Sequence, residues 1–433
     1  MKETLICAFL MVFCLGGSSW AEELGQPQEG ELPRWKYKIG ADERIRYEYK
    51  HDFDFNKDIK DNGSLFFARD RLNVKATLSD GQPHDWIEVF VEGLNAQTGS
   101  YQTKATAGQT DDFDLHQSYL AVYNVLGSPV DLKIGRQELK YGKGRLIAAP
   151  VWSNRIRSFD AAVTRYHSNG LYADLLYAQD VKYDDNTFHR SLDEESIFGT
   201  YIGYQKDKKS SLLEGYFLTQ IISSGSATIK RYTAGPRWRG TLPWQIVLDI
   251  EAPTQFGTTG TKDIRAYAVH MDASRDFTSL LWKPTAVFSY DQASGDRSPD
   301  DNVSNTFVPL YQSTHEPYGL LDFFRWQNIR NPEVSIAFSP TAKFKFTPQA
   351  SFFWLESKSD SWYNSSGTAV RTKATGDRSP YIGSEASLRA YYDFNKHIKL
   401  EAGYAHFFSG EFVGNTGAND DADWMYFQVN VKY

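Results

Sequence analysis

The sequence predicts an all-β fold, a transmembrane antiparallel β-barrel of about eighteen strands, with sixteen as the alternative. Three observations predict it: apolar and polar residues alternate along most segments, short and long connections alternate, and the last segment ends in an aromatic residue, Tyr433. The mean hydropathy is −0.51 although aromatic residues make up 15% of the chain. A barrel wall explains both values, because lipid-facing apolar residues alternate with polar lumen residues and aromatic residues collect at the membrane interfaces.

The segment Leu65–Leu78 shows the alternation most clearly. Apolar residues such as Phe66 share one face, which Asp70 interrupts, and polar residues such as Arg69 share the other. In the first predicted strand, Glu43 interrupts the apolar face in the same way. Since successive side chains of a strand point to opposite faces, the polar faces are predicted to line a lumen.

The connections support the same architecture. The predicted strand centres are Arg44, Leu72, Val89, Leu120, Leu132, Val163, Leu175, Tyr201, Tyr216, Gly235, Val247, Ala268, Ala286, Ile336, Phe352, Ser387, Leu400 and Val429. The long connections are 96–112, 137–154, 181–195, 292–331, 356–381 and 409–421. Bacterial barrels have short periplasmic turns and long outer loops, so the short connections are assigned to the periplasmic side. A barrel of this size leaves an aqueous lumen.

The amino-terminal segment predicts export. Lys2 precedes an apolar run from Leu5 to Leu15, and Ala21 ends a small-residue cleavage pattern. Both cysteines, Cys7 and Cys14, would be removed with this segment. We expect a bacterial outer-membrane location, with the chain divided into residues 1–21, a signal peptide, residues 22–34, a short periplasmic segment, and residues 35–433, the barrel.

Two stretches resemble a known family. Residues 131–160 contain Gly135-Arg-Gln-Glu-Leu139, Tyr141-Gly-Lys-Gly-Arg145 and Val151-Trp-Ser-Asn154, and this stretch resembles the alginate-export family of outer-membrane proteins. Residues 309–328, with His315, Tyr318, Gly319, Asp322 and Asn328, are similar to that family too. The resemblance implies a monomeric eighteen-stranded barrel whose charged lumen passes an anionic polysaccharide. The family's archetype has a long periplasmic lid near its carboxy end, whereas the matching turn here, 393–397, is short.

Basic residues are the candidate solute-binding groups, because the planar arginine fork binds both oxygens of a carboxylate. The predicted pore-lining set is Arg44, Arg46, Arg69, Arg71, Lys75, Arg136, Arg145, Arg155, Arg157, Arg231, Arg237 and Arg389. Arg136 has the parity of the lipid-facing Ile134, so it reaches the lumen only if the strand ends or bulges before it. The alternative is that opposed charges merely fill the lumen with salt bridges.

The connection after the fifth strand is predicted either to fold inward and narrow the channel or to pack on the rim. Gly142 and Gly144 would permit the tight turns that an inward path requires. The leading function is a channel for an anionic, alginate-like polysaccharide or oligosaccharide. The alternatives are an uptake porin, a periplasmic carbohydrate-active enzyme and a plugged structural barrel.

No catalytic arrangement, cofactor site or metal site is predicted, and we expect no enzyme activity. The acidic run Asp111, Asp112 and Asp114 would suit calcium, but acidic outer loops are more often solvated. The formal charge of −7 gives no indication of nucleic-acid binding. The expected partners are the glycan, outer-membrane lipid and lipopolysaccharide, the barrel-assembly machinery and periplasmic export proteins.

Overall fold

The structure is a computed structural model that describes residues 34–59, 61–79, 86–102, 109–183, 189–225, 227–313, 315, 317–372 and 379–433. The predicted signal peptide and residues 22–33 lie outside the described residues. Arg34 is the first residue of the first strand.

Eighteen antiparallel strands form one closed wall. They are β1 (Arg34–His51), β2 (Gly63–Ser79), β3 (Ile87–Tyr101), β4 (Asp111–Val122), β5 (Val130–Gln137), β6 (Phe159–Ser168), β7 (Leu171–Lys182), β8 (Arg190–Tyr204), β9 (Leu212–Ser224), β10 (Ala227–Leu242), β11 (in two pieces, Ile246–Glu251 and Thr254–Thr259), β12 (Lys262–Asp276), β13 (Thr285–Ala293), β14 (Ile329–Ala337), β15 (Phe344–Trp354), β16 (Tyr381–Asp393), β17 (Ile398–Ser409) and β18 (Ala422–Lys432).

The barrel closes because β1 pairs with β2 on one side and with β18 on the other, from Asp42 opposite Lys432 to His51 opposite Asp423. Every predicted strand centre lies inside one of these strands, which confirms the eighteen-stranded prediction over sixteen. Pro253 interrupts β11, since proline has no N–H to donate to the neighbouring strand.

The remaining elements are short. They are the 3-10 turns Val125–Gly127 and Pro243–Gln245, the helix α1 (Glu411–Thr416), and the loop strands Val303–Ser304, Trp362–Tyr363 and Ala369–Arg371. Among the described residues, no helix is long and apolar enough to cross a membrane.

The predicted alternation is present in the wall. On β2, Phe66 and Leu72 are each 52% exposed on the outer face, whereas Arg69 on the inner face is 5% exposed. Short turns connect the strands at one end, here called the turn end, and most connections at the other end, the loop end, are long. Two loop-end connections are tight hairpins, between β9 and β10 and between β11 and β12.

The packed apolar core lies inside the barrel. Its largest members include Phe307, Tyr318, Phe324 and Trp326, which all come from the connection between β13 and β14 and are at most 1% exposed. Because the outer face of the wall contacts lipid, loop side chains can bury apolar surface only inside the lumen. The loop-end half of the lumen is therefore filled by protein.

Candidate functional site

Two connections fold into the lumen. The first inward loop, residues 138–158 between β5 and β6, reaches distant parts of the wall: its Arg145 contacts Asp272 on β12 at 3.2 Å, and its Val151 carbonyl accepts a hydrogen bond from Arg44 on β1. Gly142 and Gly144 have φ values of +55° and +80°, as the predicted tight turns require. Of the two paths considered for this connection, inward or on the rim, the structure has the inward one.

Two arginines hold this loop against β1 and β2. Arg44 donates to the carbonyl oxygens of Val151 and Trp152 at 2.9 and 2.8 Å. Arg69 donates to the carbonyl oxygens of Val151 and Ser153 at 2.8 and 2.9 Å. The two arginines lie directly opposite each other on neighbouring strands, where like charges repel. The loop carbonyls offset this repulsion, so loop and arginines stabilise one another.

Trp152 lies between the wall and the second inward loop, residues 294–328 between β13 and β14. The Arg46 guanidinium lies 3.8 Å from its ring centroid. On the other side, the imidazole of His315 stacks on it at 3.8 Å with an interplanar angle of 7°. His315 is held in turn by Asp322, at 3.1 Å from Nδ1. Trp152 therefore couples both inward loops to β1.

The two inward loops also pair through their backbones. Ala148 N–H donates to the Tyr311 carbonyl and Tyr311 N–H donates to the Leu146 carbonyl, each at 2.7 Å. Ser313 N–H donates to the Gly144 carbonyl at 2.9 Å. This short parallel pairing makes the two loops one body across the lumen.

Glu385 on β16 holds the second inward loop. Its carboxylate accepts hydrogen bonds from the N–H groups of Leu320 and Leu321 at 2.8 and 3.4 Å. Gly319 precedes them with φ +80°, and a Cβ there would lie 2.4 Å from the carboxylate. A larger residue at this position would therefore displace the contact.

Arg145 fixes the first inward loop to the opposite wall. Its guanidinium contacts Asp272 at 3.2 Å, Glu251 at 3.7 Å and the imidazole of His270. Burial alone would lower the pKa of Arg145, but Asp291, Asp272 and Glu251 outweigh it and raise that pKa above its usual value. The charge of Arg145 is thus balanced locally.

Three further predicted residues are paired with lumen acids. Arg71 lies 2.6 Å from Glu92 and 2.8 Å from Glu138. These lengths are typical of charge-assisted hydrogen bonds. Lys75 pairs with Glu88, and Arg237 with Glu214 and Asp249.

Arg136 corrects the prediction. It lies on the outward-facing side of β5 with Ile134, and its guanidinium forms two hydrogen bonds with Asp160 at 2.9 and 3.0 Å. It also donates to the His189 carbonyl at the loop end. No bulge interrupts the pairing of β5, so the parity holds and Arg136 does not line the lumen.

The other predicted residues differ in their surroundings. Arg155 donates to the Thr110 carbonyl at 3.3 Å, Arg157 lies 3.6 Å from Asp180, and Arg231 donates to Gln220 at 2.6 Å. Arg389 faces the lumen on β16, opposite Thr347 and Gly403.

Sequence reasoning missed Arg325 of the second inward loop, which donates to the Pro309 carbonyl at 3.1 Å. Burial and the neighbouring Arg157 lower its pKa to about 10, so it remains charged at neutral pH. In the described chain, no carboxylate lies within 4 Å of Arg231 or Arg325. The inward path of the second loop was also missed, although the apolar content of a connection this long was a usable signal.

The turn-end half of the lumen is more open. A cavity there is lined by charged residues of both signs, Lys343, Lys345, Lys399, Asp393 and Glu401. It lies on the turn-end side of the inward loops, beside β15 to β18.

Groups that could hold a metal ion are already engaged. Glu92, His116 and Glu138 bring ligand atoms within 4.8 Å of one another. Arg71, however, already forms ion pairs with both carboxylates. Of the acidic run considered for calcium, Asp111 and Asp114 both bind His189.

The sequence matches the family model described as alginate export over residues 36–427, nearly the whole chain. No curated protein matches it. Solved outer-membrane proteins share the fold at low identity. OccK2 (OpdF) of Pseudomonas aeruginosa, solved in complex with glucuronate, is 11% identical with a TM-score of 0.62, covering 92% of this chain and 97% of that one.

Two more solved structures are similar to the same extent. OccAB4 of Acinetobacter baumannii is 12% identical with a TM-score of 0.60, covering 92% of this chain and 98% of that one. OpdO of Pseudomonas aeruginosa is 13% identical with a TM-score of 0.60, covering 92% and 97%. At these identities the similarity shows the fold alone.

Proposed function

The chain belongs to the alginate-export family and is a channel of the bacterial outer membrane, and from this premise we propose that its solute is an anionic, alginate-like oligosaccharide or polysaccharide. The turn end then faces the periplasm and the loop end faces outward. Neither the family nor the fold is that of an enzyme.

One observation carries the proposal. In the described lumen, Arg44, Arg69, Arg231 and Arg325 have no carboxylate partner within 4 Å. They are held by carbonyl or amide oxygens, which are dipoles and do not neutralise the positive charge as a direct ion pair would. A passage lined by arginines without direct ion pairs attracts anions and repels cations.

The first inward loop supplies a means of opening. A uronate carboxylate binds both arms of an arginine fork more strongly than a neutral carbonyl does. It can therefore compete with Val151 and Ser153 for Arg44 and Arg69. We propose that an anionic solute displaces the loop from these arginines and takes its place in the lumen.

The cavity at the turn end of the lumen suits the same solute. Its lysines attract a polyanion, whereas Asp393 and Glu401 keep the attraction weak enough for the chain to move on. We further propose that β18, which leads to the terminal Tyr433, is the strand that the barrel-assembly machinery recognises.

The test is single-channel current in a planar bilayer under a salt gradient. The wild type is expected to prefer anions, and oligouronates are expected to block its current. Arg231→Gln and Arg325→Gln should each shift the reversal potential toward cations. Arg265→Gln removes the same charge from an outward-facing position that is 70% exposed, and should leave it unchanged. A cation-selective wild type, or equal shifts in all three variants, would contradict the proposal.

An uptake porin for small carboxylates is the second candidate. The fold similarity to a protein solved with glucuronate favours it. Swelling of liposomes that contain the channel separates the two. Passage of monouronates without block by oligouronates would support the porin, whereas block by oligouronates at lower concentration would support the glycan channel.

A further inference from the structure

The inner face of β1 carries exposed positive charge at the turn end. Lys36 and Lys38 have the parity of the inward-facing Arg44. Among the described residues, no carboxylate lies within 4 Å of either lysine. Lys38 lies directly opposite Lys75 on β2, which is already paired with Glu88. Because like charges on neighbouring strands repel, this end of β1 is suited to contact acidic groups.

The turn-end cavity continues this positive surface. Lys345 lines it opposite Tyr391, and in the part of the chain that the structure describes no carboxylate lies within 4 Å of its ammonium group. Lys399 lies 3.6 Å from Asp393, and both side chains are more than half exposed. An ion pair this exposed is weak, so another carboxylate can replace Asp393. The lysines of the cavity are therefore available to an acidic segment.

The same end of β1 has an open edge. β18 ends opposite Ala41, where the Tyr433 N–H donates to the Ala41 carbonyl at 2.9 Å. Residues 34–40 pair with β2 alone within the described chain. An open edge presents N–H and C=O groups with which an extended segment can pair. This edge faces β18, the side of the barrel on which the cavity lies.

Residues 22–33, here called the amino-terminal segment, directly precede this edge. Cleavage after Ala21, which the sequence predicts, places the segment at the start of the mature chain. It has no lysine or arginine, and its four acids are Glu22, Glu23, Glu29 and Glu31. Its residues span up to about 40 Å when extended, whereas the four strand spacings from β1 to β15 cover about 20 Å of wall. The segment is therefore long enough to reach the cavity, and Gly30 and Pro33 favour a turn before β1.

We propose that the amino-terminal segment docks across the turn-end opening, with its glutamates on the lysines of β1 and of the cavity. The segment then covers the lysines that an anionic solute would contact, so the solute has to displace it. This consequence rests on the proposed solute, whereas the docking rests on the charges of the chain alone.

Disulfide formation within the mature chain tests the docking. Both natural cysteines lie in the predicted signal peptide, so an introduced pair supplies the only thiols. Gln26→Cys is combined with Ala342→Cys, which lines the cavity, or with Leu126→Cys, which lies exposed at the turn end four strands from β1 in the other direction. In the purified, folded barrel the first pair is expected to close at least about fivefold faster than the second, a ratio that a few exposed ion pairs supply.

The charges are then removed from the first pair by Glu23→Gln, Glu29→Gln and Glu31→Gln. The rate is expected to fall to that of the Leu126→Cys pair, while heat-modifiable migration shows that the barrel is folded and the mass of the chain shows that the signal peptide is removed. Equal rates in the two pairs would overturn the proposal, and so would a rate that the glutamine changes leave unaltered.

A disulfide between two chains, instead of within one, would overturn the proposal as well, because a second copy would then occupy the cavity. No solute is present in these reactions. Their failure therefore leaves the proposed solute untouched, and a cation-selective lumen would contradict the solute without changing these rates.

Discussion

The β1–β2 side and the β10–β12 side of the barrel both point arginines into the lumen, but Arg44 and Arg69 on the first side have different partners from Arg237 on the second. On the first side, Arg44 and Arg69 bind loop carbonyls. On the second side, Arg237 binds the carboxylates of Glu214 and Asp249, and all three side chains are about 5% exposed.

This difference in partners decides what each of these arginines can do. A buried arginine between two carboxylates has its charge balanced, and its contacts hold the strands of the wall together. An arginine held by carbonyls keeps its charge and holds a segment that another anion can replace. The positions of the acids, rather than the number of arginines, therefore set where the lumen can select and open.

The largest effect is expected from releasing the first inward loop. Arg44→Gln with Arg69→Gln removes several charge-assisted hydrogen bonds, each worth about 1.5–3 kcal/mol. Loss of even one such bond would raise the open population about tenfold. Single-channel recording should show higher or more frequent conductance than in the wild type. A channel as closed as the wild type would mean that other contacts hold the loop.

Arg237→Gln sharpens the comparison from the other side. The change leaves Glu214 and Asp249 buried without their cation, which costs about 3–5 kcal/mol of unfolding free energy. Equilibrium unfolding in lipid vesicles should show this loss, whereas the open population should stay near that of the wild type. Arg237→Met with Glu214→Leu and Asp249→Leu is the control, because removing all three buried charges costs less than removing the cation alone.

Gly319→Ala is expected to have a smaller effect. At φ +80° an alanine costs about 1–2 kcal/mol, and its Cβ would meet the Glu385 carboxylate. The second inward loop should loosen, which protease sensitivity of the intact channel would report. Gly225→Ala is a matched control, since it has a positive φ but no atom within 4 Å. Equal sensitivity in both variants would remove Glu385 from the anchoring role.

Much of the wall could be predicted from the sequence, because the alternation of side chains along a strand depends only on the residues of that strand. Phe66 and Arg69 differ in parity, and parity alone assigns one to lipid and the other to the lumen. Arg136 makes the same point: its parity with Ile134 assigned it correctly, and placing it in the lumen required a bulge that is not there.

The lumen contacts could not be predicted, because they join residues far apart in sequence. Arg44 meets residues more than one hundred positions away, and Glu385 meets a loop 64 and 65 positions before it. Parity tells that Arg69 and Arg71 point inward, but not that one meets carbonyls and the other meets acids. Only the paths of the inward loops decide this.

Arg71 gives the smallest and most discriminating prediction, because it belongs to one side by position and to the other by its partners. It lies two residues from Arg69 on β2, yet it binds Glu92 and Glu138. Glu138 directly follows β5, so it is fixed by the wall and does not hold the body of the loop. Arg71→Gln should therefore change the open population less than about twofold, a fraction of a kcal/mol. Arg69→Gln in the same recording is the control. If the two variants open the channel equally, the side of the barrel rather than the partner sets an arginine's role, and the comparison fails.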